Sequence, residues 1–247
     1  MDSLNILGLI FVLLFFGLIL ALAIIFRQRE RPMLREIPAY ARLQRAIGLA
    51  VEAGNRLHIS LGRGQLLSPQ SSIGYVGLSI LMRIARSTSI SDRPPVSTVG
   101  EGSLGILSQD TQGEAAKYLG VESDPMRSRI TGLTPFSYAA GTLSFIQEED
   151  IGANLLIGSF GNEVALIADA AERTESMTLG GTDNLTGQAV LFATAQEPLI
   201  GEETYAGGAY LDAGDMHYAS LHAQDILRWI IIGLILIGAI LKLFSVL

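Results

Sequence analysis

Glycines 100, 102 and 105 stand at a spacing that suits phosphate binding. Gly100-Glu101-Gly102-Ser103-Leu104-Gly105 follows the strand-like run Val96-Ser97-Thr98-Val99 and opens a helical stretch. There, bare backbone N–H groups at a helix N-terminus could hold a phosphate, with Glu122 or Asp124 about 20 residues further on for a ribose hydroxyl. Two features weigh against it. Glu101 places a negative charge where an anion would sit, and among 27 glycines the pattern arises easily by chance. Tight turn packing is the plainer use of these residues. No G-x-x-x-x-G-K-[ST] and no G-x-S-x-G occurs, so neither P-loop chemistry nor an α/β-hydrolase serine has support.

The remaining candidates are fewer and less specific. His58, inside a short alternating run, reads as a packed, hydrogen-bonded residue. Asp212, Asp215, His217, His222 and Asp225 crowd one stretch but match no zinc spacing, so a polar linker is expected there and no metal site. The absence of cysteine excludes disulfides, thiolate metal sites and a cysteine nucleophile. The most unusual segment is Leu199 to Leu211, read as the last helix of the domain. Gly207 and Gly208 inside a helix would each cost roughly 1 kcal/mol relative to alanine, which calls for a backbone packed closely against them. Glu202 and Glu203 could act as acid and base or cap a neighbour. Together with Tyr205 and Tyr210 they mark a packing or functional helix, and the catalytic residues and cofactor, if any, stay unassigned.

The elements that would carry these residues follow from periodicity. Helices are expected over Ala39 to Ala53, Gln70 to Arg86, Gly100 to Leu119, Thr134 to Gln147 and Asn162 to Glu175, with strands at Arg56 to Leu61, Val96 to Val99, Asn154 to Ser159, Met177 to Leu179 and Ala189 to Ala193. Alternation of this kind predicts one soluble α/β domain with a mainly parallel or mixed sheet. The last two strands could instead pair as an antiparallel hairpin.

Composition places that domain beside a lipid bilayer. Only 17% of the 247 residues are charged and 49% are hydrophobic, too little charge for a soluble domain of this size. Residues 4–26 form an uncharged apolar stretch, longer than a signal peptide core and followed by bases, so they read as a transmembrane helix after a flank of residues 1–3. A second transmembrane helix is expected within residues 222–247, with Lys242 reaching the headgroups. Residues 27–38 form a basic linker in which Arg27, Arg29, Arg31 and Arg35 would contact the membrane surface, leaving residues 39–221 as the domain. The bases put that domain on the cytoplasmic side of a cell membrane, such as a bacterial inner membrane, with both termini outside. Lys242 alone argues otherwise.

Charge is divided along the chain. From Arg27 to Val99 the balance is +7, and from Gly100 to Asp225 it is −15. With a net charge of −7, nucleic acid is not an expected partner. The expected partners are the lipid bilayer and a second copy or another membrane protein.

Glu197 to Leu211, Gln224-Asp225, and Ala46-Ile47-Gly48 through Gly54 before a short strand together resemble an uncharacterised family of prokaryotic membrane proteins, a domain of unknown function. The resemblance extends over most of the chain between the two spans. It implies a membrane-bound α/β domain and brings no activity or catalytic residues. The reading is a membrane-anchored α/β binding or scaffold module that self-associates; the alternative is a nucleotide-binding sensor or enzyme using the Gly100 to Gly105 loop.

Overall fold

A computed structural model describes residues 3–28, 33–66, 68, 72–88, 91, 93–122 and 124–243. Two compact units are present: residues 36–213, and residues 1–35 together with 214–247.

The larger unit is a six-stranded sheet: β1 (Arg56–Gly62), β2 (Val96–Val99), β3 (Ser128–Ile130), β4 (Ile151–Ser159), β5 (Met177–Gly181) and β6 (Glu197–Leu199). The order across it is β3-β2-β1-β4-β5-β6, and all five pairings are parallel. Helices α2 (Pro38–Ala53), α3 (Ser72–Thr88) and α4 (Gly102–Tyr118) belong to one face, and α5 (Pro135–Glu148), α6 (Val164–Arg173) and α7 (Leu185–Thr194) pack in sequence on the other. Local signals set several ends. Pro38 opens α2, and Gly54, at φ +71°, closes it with its N–H on the carbonyls of Ala50 and Val51. Thr134 and Ser137 form a reciprocal capping box ahead of α5, with Pro135 in its first turn.

The central strands are buried on both faces, as a parallel sheet between helices requires. In β1, Leu57, Ile59 and Leu61 alternate with His58 and Ser60, and all five are buried. The apolar set belongs to the α3 side, where Leu61 lies against Gly77. On the other side Tyr138, Ile146, Leu156, Phe160, Val164, Ile167 and Leu191 form the core beneath α5, α6 and α7.

Three expectations change. Ala189 to Ala193 is not a strand but part of α7. Asn184 caps that helix by accepting from the N–H groups of Thr186 and Gly187, and β5 pairs with β6 in parallel, so there is no hairpin. Leu199 to Leu211 is not one helix: Leu199 ends β6, a 3₁₀ turn spans Gly201–Ala206, and α8 (Gly207–Tyr210) is four residues long. The final helix, α9 (Asp215–Leu243), begins about two turns before residue 222, where the second transmembrane segment is expected to start.

The smaller unit consists of α1 (Ser3–Gln28) packed on α9. Phe26, near the end of α1, meets Tyr218 and His222 near the start of α9, with ring centroids 5.5 and 5.0 Å apart, so the two helices run antiparallel. Asn5–Gln28 and Asp215–Leu243 are long and apolar enough to cross a membrane. At 24 and 29 residues they extend about 36 and 43 Å, against a hydrocarbon layer of about 30 Å. Their apolar stretches are exposed in the structure, unlike those of a soluble core helix.

Candidate functional site

With strands in the order 3-2-1-4-5-6, chains leave the carboxyl ends of β1 and β4 in opposite directions. Ligands of open parallel sheets bind in the crevice opened there. In this protein the two strands stay paired to their last residues and just past them. Just past the strand ends, the Arg63 N–H donates to the Ser159 carbonyl between β1 and β4 (3.1 Å), and the Gly100 N–H donates to the Gly62 carbonyl on the other side, between β2 and β1 (2.9 Å). Glycine permits this approach. Gly62 sits at φ +69°, and a methyl group on it would lie 2.6 Å from the Ser159 carbonyl oxygen; one on Gly158 would lie 2.1 Å from that of Leu61. Below the turn, buried Tyr138 hydrogen-bonds through its hydroxyl to Ser60 and accepts from the Gly62 N–H (3.3 Å). Burial pushes the Tyr138 phenol above its ordinary pKa.

The predicted phosphate loop lies one strand away, after β2, and its donors are already used. Glu101 is the N-cap of α4, its carboxylate accepting from the Leu104 N–H (2.9 Å) and the Ser103 hydroxyl. Partial burial would raise its pKa, but hydrogen bonds from Ser103 and from the backbone of residues 102–104 outweigh this and hold the carboxyl below its usual range. The chain's own carboxylate thus occupies the helix N-terminus. Gly100 lies under the methylene stem of Arg63, whose guanidinium donates to the Leu133 carbonyl (3.3 Å). Gly105 packs on Val99 and Ile130, whereas Gly102 faces open space. Across the switch point Glu163, only 3% exposed, turns its carboxylate back onto the Gly161 N–H (3.0 Å).

Gly201 to Tyr210 follows β6, four strands and about 19 Å from β2, so it does not join the Gly100 loop in one site. The Tyr40 hydroxyl donates to the Glu203 carbonyl (2.7 Å), Tyr40 stacks on Tyr210 at 5.0 Å, and the Gln44 amide donates to the Tyr210 carbonyl (3.0 Å). A methyl group on Gly207 would lie 2.5 Å from Ile80 and 3.2 Å from the Tyr40 hydroxyl. Gly207 and Gly208 are buried and open α8, away from a helix interior. Glu202 and Tyr205 are exposed and Glu203 is half-buried.

His58 lies in a buried row of polar side chains that crosses the sheet. Its Nδ1 meets the Asn154 amide oxygen at 2.7 Å and its Nε2 the Thr98 hydroxyl at 2.9 Å, while the Asn154 amide donates to Ser176 (2.7 Å). Both ring nitrogens are committed, so the imidazole has no free position for a metal or a substrate proton. Burial lowers its pKa to about 4, more than the Asn154 hydrogen bond raises it.

Among the described residues no three His, Asp or Glu side chains are arranged to hold a metal ion, those at 212, 215, 217, 222 and 225 included. His222 stacks on Tyr218 and Arg228 pairs with Asp225. Arg27, in the last turn of α1, and Arg35 are exposed; Arg29 and Arg31 lie outside the described residues. The sequence signals missed Arg63, Tyr138 and Glu163 as residues of the switch point, because that point is defined by the strand order.

Comparison with known proteins adds a family and no activity. No curated protein matches the chain, and no solved structure does. The sequence profile of a family described as Domain of unknown function (DUF6754) matches residues 1–247. With its full length matched, its parallel sheet and its two apolar terminal helices, the chain belongs to the DUF6754 family.

Proposed function

We propose that this protein is a membrane-anchored α/β binding module that self-associates and works by contact rather than by turnover. The observation that carries this is that, among the described residues, the switch point is taken up by the chain's own groups: the β1 and β4 turns are hydrogen-bonded to each other, and Glu101 occupies the donors of the neighbouring loop. The anchor is α1 and α9 crossing a cell membrane. Their antiparallel pairing suits two termini on one side, and the arginines after α1 suit a domain on the cytoplasmic side.

One observation favours a second reading. The strand order is that of dinucleotide-binding sheets, and Gly62-Arg63-Gly64 follows the first strand as their glycine turn does. A nucleotide at 100 times its Kd would add about 2.7 kcal/mol, or about 5–10 °C in Tm for a chain of this size. Melting the detergent-solubilised chain with millimolar ATP, GTP, NAD or FAD is expected to leave Tm unchanged. A rise of several degrees with any of them would overturn the contact reading in favour of the nucleotide one.

A further inference from the structure

The face of α7 turned away from the sheet is apolar and exposed among the described residues. Gly187 and Leu191 are buried, Gly187 against the Phe160 carbonyl and Leu191 over Gly180. On the outer face, Leu185 (82% exposed), Ala189, Phe192 (70% exposed) and Ala193 all stand open. Spacings of four, three and one residues place them on one helical stripe. A contiguous exposed apolar stripe marks a contact surface. We propose that it is the interface between two copies of this chain, with α7 crossing α7 of the second copy antiparallel about Ala189.

Three observations select a second copy as the occupant. The stripe is self-complementary: small Ala189 sits between large Leu185 and Phe192, so a two-fold axis at Ala189 brings Leu185 of each copy against Phe192 of the other. Charge points the same way. The segment from Gly100 to Asp225 has a balance of −15, yet α7 carries no charged residue, so two acidic domains can meet there without like charges in contact. An anionic lipid surface would need bases around the stripe, and α7 offers none. Lastly, the neighbouring edge strand β6 contains Pro198, which has no N–H to offer a further strand, so association through the helix is favoured over sheet extension.

The contact is small. A ten-residue helix is about 15 Å long and covers much less than the roughly 800 Å² per partner of a stable soluble dimer. Confinement of both copies to one membrane supplies the missing effective concentration, and in this respect the inference rests on the anchored, self-associating reading above.

The chain has no cysteine, so a single one can be introduced without background. Ala189→Cys in the full-length chain, oxidised in native membranes, is expected to give at least tenfold more disulfide-linked dimer than Ala140→Cys, an exposed alanine on α5. Adding Phe192→Glu to Ala189→Cys should abolish the cross-link while leaving the melting curve in place, because Phe192 is mostly exposed. Cross-linking at position 189 no better than at 140, or unaffected by Phe192→Glu, would overturn the proposal. Counting copies per particle separates the two levels: paired chains without a cross-link at 189 move the interface elsewhere and sink only the α7 assignment, whereas single chains sink self-association as well.

Discussion

Gly158→Ala should cost the domain about 3–5 kcal/mol and so unfold much of it at 37 °C. The added methyl would lie 2.1 Å from the Leu61 carbonyl oxygen and 2.3 Å from its carbon. Both belong to backbone in the central pair of strands, buried on both faces, so no flexible side chain can move aside. Relief requires β1 and β4 to separate at the point where Arg63 and Ser159 hold them together. Ordinary overpacking costs 1–3 kcal/mol, and a clash between two backbones lies at or above the top of that range. Gly102→Ala, in open space in the first turn of α4, is the control and should change stability by less than about 1 kcal/mol. Circular dichroism melts of the two variants in the same detergent make the comparison. A Tm for Gly158→Ala within 2 °C of the parent would show that the switch point is looser than described.

Acid should weaken the fold through His58. In the folded chain its pKa is about 4, below the ordinary 6.5, because burial disfavours the charged ring. Above pH 6.5 the ring is neutral folded or unfolded, and stability is complete. As pH falls below 6.5 the unfolded chain takes up a proton that the folded chain refuses, at a loss of about 1.4 kcal/mol per pH unit. By pH 4 the loss from this one residue is about 3 kcal/mol. Carboxylates add their own acid sensitivity, so the informative quantity is a difference of differences. The fall in Tm between pH 7.5 and 4.5 should be markedly smaller in His58→Gln than in the parent chain. His58→Gln should also be less stable at pH 7.5, since a shorter side chain cannot bridge Asn154 and Thr98 as the imidazole does. An equal fall in both chains would remove His58 as the acid-sensitive group.

Much of the sheet can be read from local signals. Gly54 after an amphipathic stretch and Thr134-Pro135 before another mark real helix ends, and the runs at 56–61, 96–99 and 154–159 are strands. Ala189 to Ala193 misleads because five apolar residues have no resolvable period; the decisive signal is Asn184, placed to cap a helix. The edge strands β3 and β6, three residues each, are too short to show alternation. Alternation in β1 also invites a half-exposed strand, whereas the polar residues are buried and satisfied by distant partners, His58 on the neighbouring strands and Ser60 by Tyr138 of α5, which no local pattern encodes. The switch point is least legible of all. Arg63 and Ser159 are neighbours only through the order 3-2-1-4-5-6, while the more visible glycine spacing at 100–105 lies one strand away and is capped by its own Glu101.

Anchoring and self-association are tested together by counting chains in their own lipid. A fluorescently tagged chain, extracted from membranes into polymer-bounded lipid discs without detergent, should be found in the discs and should bleach in two steps in most of them. Uniform single-step bleaching, or recovery of the chain in the lipid-free supernatant, would contradict a membrane-held module that works by meeting its own copy.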